Sequence, residues 1–80
     1  MIPTIHRFIF IIPDGMSCEF RVDPVRIAKL KPKARVKCMD SLWDRMSEFE
    51  QHIPKGINRA PFWQWRNHVY LFAVSAIDPI

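Results

Sequence analysis

The hydrophobic pattern is clearest near the start of the chain. His6, Phe8, Phe10 and Ile12 alternate with Arg7, Ile9 and Ile11, and Met16, Cys18, Phe20 and Val22 alternate with Ser17, Glu19 and Arg21. Between the two runs stands Pro13-Asp14-Gly15. Proline fixes φ, aspartate tolerates the bridge region and glycine takes positive φ, so the tripeptide has turn chemistry. Alternate side chains of a strand share one face. A type I turn closed by a glycine bulge then predicts a hairpin with Ile12 opposite Met16. Counting back pairs Phe10 with Cys18, Phe8 with Phe20 and His6 with Val22, all on the core face. This register sets Arg7 against Arg21, an unfavourable like-charge pair, with Glu19 placed diagonally to relieve it.

Residues 23 to 31 admit two readings. Asp23-Pro24 has the form of a helix N-cap followed by proline at the first helical position, giving a single turn through Leu30 that Pro32 stops. The competing reading is a strand beginning near Lys29 or earlier. The next stretch favours the strand. Lys29, Lys31, Lys33, Arg35 and Lys37 occupy every odd position, and Leu30, Pro32, Ala34, Val36 and Cys38 every even one. Extended, this becomes a basic rail with an uncharged back. Pro32 lacks an amide donor, which places the strand at a sheet edge. Lysines there also block edge-to-edge aggregation, the plain structural reading of the rail.

Residues 41 to 53 read as a helix. Leu42, Met46, Phe49 and Ile53 follow i, i+4, i+7, i+11 spacing, one buried stripe, while Asp44, Arg45, Glu48 and Gln51 face outward. Ser41 and Asp44 resemble a capping box, and Pro54 and Gly56 end the helix. The last third, Phe62 to Ile77, is aromatic and branched. Asn67-His68 lies between two such runs and suggests a second hairpin, with Trp65 opposite Tyr70, Trp63 opposite Phe72, and Val69–Ile77 as a central strand. The alternative is a buried helix starting at Pro61, and periodicity does not decide between them for an all-apolar run.

These elements predict one α+β domain over residues 1–80: an antiparallel sheet of about five strands (β-β-β-α-β-β) with one helix packed on it. An OB-like barrel shares that order, although two glycines are few for its coiled strands. A chain this short buries only about 60–65% of its unfolded surface. A partner or a second copy, as in a homodimer, would cover more.

Charge sharpens the picture. The net charge is +4. From Arg26 to Lys37 there are six cations and no acid, and from Asp40 to Glu50 four acids and only Arg45. A basic strip suits a polyanion or an acidic protein surface. Trp65 and Tyr70, near Arg59 and Arg66, add a candidate stacking or contact group, whereas Trp63 and Phe72 suit the core and Trp43 its boundary. The histidines His6, His52 and His68 and the cysteines Cys18 and Cys38 have no zinc-ligand spacing, so no metal and no cofactor are expected. The two cysteines point to a reducing, cytoplasmic setting, and no apolar stretch reaches membrane-spanning length. Glycine-rich phosphate loops, nucleophile elbows and paired-histidine motifs are missing. Any pairing of His6 or His68 with Glu19 or Asp14 for acid–base work is unspecific, so no enzyme is expected. The expected function is a small, non-enzymatic, basic binding protein acting on nucleic acid or a nucleoprotein complex. Lys29, Lys31, Lys33, Arg35, Lys37, Arg59 and Arg66 would supply affinity, and Trp65 and Tyr70 stacking. The alternative is a stoichiometric protein inhibitor or adaptor whose rail meets an acidic protein surface.

Overall fold

In the computed structural model, which describes residues 4–13 and 15–77, one hairpin is followed by three helices. Strands β1 (His6–Ile11) and β2 (Ser17–Val22) pair antiparallel. The register is the one the alternation predicts: His6 with Val22, Phe8 with Phe20, Phe10 with Cys18. The Ile12 amide donates to Met16 O at 2.7 Å and the Gly15 amide to Ile12 O at 2.9 Å. Gly15 has φ 101°, the left-handed region that a bulge glycine supplies. Asp14 lies outside the described residues. Arg7 does face Arg21, and Glu19 accepts a hydrogen bond from Arg7 Nε while lying 3.8 Å from Arg21 Nε.

Helix α1 (Pro24–Lys29) begins as its cap predicts. Asp23 Oδ1 accepts from the amides of Val25 at 3.1 Å and Arg26 at 3.3 Å, and Pro24 opens the helix. Helix α2 (Pro32–Glu50) is the first departure from expectation. Residues 29–38 are not an edge strand, and the rail does not form. Pro32 opens α2, where its missing amide costs nothing, and the Arg35 amide donates to Lys31 O at 2.9 Å. Ala34, Cys38, Leu42 and Met46 continue one helical stripe. The charges of period two overlay this stripe without setting the backbone. Ser41 and Asp44 consequently lie inside α2 and cap nothing. Leu42, Met46 and Ile53 are buried, Phe49 is half-buried, and Asp44, Glu48 and Gln51 are exposed, as the stripe predicts.

The second departure is helix α3 (Ala60–Ile77), which replaces the expected second hairpin. The Ala60 amide donates to Asn58 Oδ1 at 3.0 Å, and the Trp63 amide to Arg59 O at 3.0 Å. Phe62, Val69 and Ala73 are fully buried at helical spacing. Asn67 and His68 are exposed positions of the helix, not turn residues. The fold is therefore α+β with a two-stranded sheet. Neither the sheet of about five strands nor the OB-like barrel forms, because three of the five segments read as strands, one over residues 29–38 and two over residues 62–77, bury their apolar residues as helices.

The inner face of the hairpin rests on α3. Phe8 meets Phe72 at 5.2 Å between ring centroids, Phe10 meets Phe62 at 5.3 Å, and Phe20 meets Trp65 at 5.9 Å. Val22, Ile27, Met39, Leu42, Met46, Val69 and Ala73 form the main core, and Ile12, Ile53 and Phe62 a second cluster, with Trp65 touching both. Among the described residues, no helix is long and apolar enough to cross a membrane.

Candidate binding cleft

The residues expected to bind are dispersed by this fold. Lys29, Lys31, Lys33 and Lys37 are exposed around the α1–α2 corner, but they form no line. Arg35 is half-buried, and its Nη2 donates to Ala28 O at 2.9 Å, tying α2 back to α1. Arg59 and Arg66 are structural. Arg59 Nη1 donates to Glu50 O at 2.8 Å and Nη2 to Ile53 O at 3.2 Å. Arg66 Nη1 donates to Glu50 Oε1 and Ser47 Oγ, both at 3.1 Å, and its guanidinium lies 4.3 Å from the Trp43 ring centroid. Trp63 Nε1 donates to Glu50 Oε2 at 3.0 Å. One carboxylate at the end of α2 thus gathers three side chains of the following segment. Trp65 packs among Phe10, Phe20 and Phe62, and Tyr70 stands edge-on to Trp43 at 5.1 Å. The expected stacking platform of Trp65 and Tyr70 is core and boundary packing.

The fold assembles a different site. The end of β2, helix α1 and the first half of α2 enclose an open cleft of about 730 Å³. Its floor is apolar: Val22, Ile27 and Leu42 are buried beneath half-buried Leu30, Ala34 and Cys38. Four cations stand around it, Arg21, Arg26, Lys37 and Arg45, all exposed. Helical geometry puts them there. Ala34, Cys38 and Leu42 are spaced i, i+4, i+8 and turn one stripe of α2 to the floor, and Lys37 and Arg45 flank that stripe. Arg45 is steadied by Nε donating to Ser41 O at 3.4 Å and by the Phe20 ring, 5.6 Å from its guanidinium carbon. Among the described residues, Arg26 and Lys37 make no ion pair. Among the described residues, no aromatic ring lines the cleft.

Among the described residues, the one acid at the cleft is Asp23. A hydrogen bond from Thr4 Oγ1 at 2.8 Å, joined by the two α1 amides and the charge of Arg26, holds its carboxyl below the usual range. It stays ionised, but that oxygen is committed to the cap. The cleft is therefore an amphiphilic surface of positive sign. It has no paired acid and base and no activated nucleophile. Cys38 lines it, whereas Cys18 sits in the hairpin, where burial pushes its thiol up. His6 stacks on Phe72 at 4.5 Å and His68 meets the edge of Phe8 at 5.8 Å. Among the described residues, no three metal-ligating side chains gather.

Sequence reasoning found Lys37 and missed Arg21, Arg26 and Arg45. Those three belong to different elements, and only the helical reading of Ala34, Cys38 and Leu42 would have turned Lys37 and Arg45 toward the same floor. Compared with family models, with curated proteins and with solved structures, the chain matches none of them.

Proposed function

We propose that the protein is a non-enzymatic binding module that takes an acidic segment of a partner protein into the cleft, acting as a stoichiometric inhibitor or adaptor. The observation that carries this reading is the pairing of an apolar floor with a rim of Arg21, Arg26, Lys37 and Arg45. Phosphates need only the rim. A peptide with carboxylates flanking a leucine or phenylalanine uses both, since apolar anchors carry affinity while charge sets orientation and encounter rate. Among the described residues no ring lines the cleft to stack a base, which weighs against single-stranded nucleic acid. The free thiols Cys18 and Cys38 support a reducing, cytoplasmic meeting place.

Nucleic acid or a nucleoprotein complex is the second reading. Its support is the group of exposed lysines, Lys29, Lys31, Lys33 and Lys37, at the α1–α2 corner. Titration against acidic peptides with and without an apolar anchor, and against single-stranded DNA and RNA, at several salt concentrations tests the pair. The cleft reading expects binding that needs the anchor and falls when Lys37 and Arg45 become serine. Tighter binding of nucleic acid, with a log K against log salt slope that flattens by about 0.7–0.9 for each cation removed, would replace it with the second reading.

A further inference from the structure

The outer side of the hairpin is unlike the rest of the surface. Ile5, Ile9 and Ile11 are 53%, 52% and 68% exposed. Ile12 bonds to Met16, and antiparallel ladders alternate, so Phe10, Phe8 and His6 exchange their main-chain bonds with β2. The N–H and C=O groups of Arg7, Ile9 and Ile11 then point off the other edge of β1. Among the described residues, no third strand pairs with that edge. Within His6–Ile11 that edge has no proline, lysine or bulge, and Arg7, already paired with Glu19, is its one charged outward residue. The β2 edge differs, because its outward positions are Ser17, Glu19 and Arg21.

We propose that β1 is a dimerisation edge, and that a second copy of this chain pairs antiparallel with it about Ile9 to make one four-stranded sheet. Of the registers centred on an outward residue of β1, this one alone is free of conflict. Ile9 meets Ile9 of the other copy, and Arg7 meets Ile11, so every outward main-chain group within β1 finds a partner. Centring on Arg7 would set two guanidinium groups face to face, and centring on Ile11 would place Pro13, which has no amide hydrogen, opposite Ile9. Centring on Phe8 instead would set the two Arg7 side chains diagonal to each other. Charge fits as well. Arg7 and Glu19 of each copy, already paired, become a polar rim on either side of a patch made of Ile9 and Ile11 from both copies. An apolar centre with a charged rim is the usual anatomy of an interface. The cleft lies at the far end of β2 and shares Ile5 with the β1 side, but pairing and cross-linking about Ile9 do not involve its cations, so this inference stands or falls independently of the proposed function.

Sedimentation equilibrium of the full chain, from dilute solution upward, tests it. The expected result is a mass that doubles with concentration, unaffected by Ser17→Lys on the β2 edge and weakened at least tenfold by Ile9→Lys. The second arm uses cysteines in a Cys18→Ser, Cys38→Ser background. Under a mild oxidant, Ile9→Cys should cross-link to itself. Ile11→Cys should not, but should cross-link when mixed with Arg7→Cys, since directly paired positions fall within disulfide reach. A chain that stays monomeric at every concentration overturns the proposal. So does an Ile9→Lys dimer of unchanged affinity, or an Ile11→Cys chain that cross-links to itself as readily as Ile9→Cys.

Discussion

Glu50 shows how much a single residue organises. Its side chain accepts from Trp63 and Arg66, and its backbone carbonyl from Arg59. Removing the carboxylate leaves Arg66, whose side chain is 15% exposed, with Ser47 as hydrogen-bond partner and the rings of Trp43 and Phe62 beside it. Glu50→Ala is expected to lower stability by about 1.5–3 kcal/mol, the range for hydrogen bonds to charged groups. A urea midpoint unchanged by the substitution would show that the α2–α3 connection does not depend on this carboxylate. Asp23 makes a prediction about acid. Thr4 and the α1 amides favour its ionised form, so its folded pKa lies below its unfolded one. The cap's contribution is present in full above the unfolded value, near pH 4, and is lost as pH falls through the folded value. Glu19, held down by Arg7, adds a loss of the same sign. Thr4→Val should narrow the gap for Asp23, so stability measured by urea at a series of pH values should fall less between pH 5 and pH 2 than in the parent.

At the scale of elements, α2 carries the core. Met46 is fully buried, and Met46→Ala should cost about 2–5 kcal/mol. Val36, 61% exposed on the same helix, should tolerate alanine with a change near zero. Equal effects at both positions would mean that α2 is rotated from the orientation described. The hairpin was legible in the sequence to the residue, because alternation, turn chemistry and one face apolar but for His6 all agreed. The N-cap at Asp23 and the stripe from Leu42 to Ile53 were legible for the same reason, each resting on a local rule with a physical cause. The first half of α2 was obscured by two periods in one segment. The basic residues repeat every two positions, but the apolar set of Ala34, Cys38 and Leu42 repeats at helical spacing. Burial decides the backbone, and exposed lysines accept either conformation. Helix α3 was hidden by its apolarity. With apolar side chains on most faces, a strand and a helix predict the same buried segment, and only tertiary packing of Phe62, Val69 and Ala73 separates them.

The whole molecule places its chemistry where elements meet. The basic cleft draws on β2, α1 and α2 together, and no single stretch of sequence announces it. Arg59, Arg66, Trp65 and Tyr70 looked like surface chemistry because arginines stood beside aromatic rings. The fold uses the same proximity inward, as ion pairs and ring contacts. The candidate site was therefore legible only through Lys37 and the general excess of positive charge.

The proposed occupant of the cleft is an acidic segment with an apolar anchor. Heteronuclear NMR titration with a peptide of alternating glutamates around one leucine tests it most directly. Progressive shifts are expected, confined to the cleft lining and centred on Arg21, Arg26, Leu30, Ala34, Lys37 and Arg45, abolished when Lys37 and Arg45 are replaced by serine and weakened when the leucine becomes alanine. Saturable shifts located elsewhere, or shifts at the cleft that ignore both the leucine and the two cations, would contradict it.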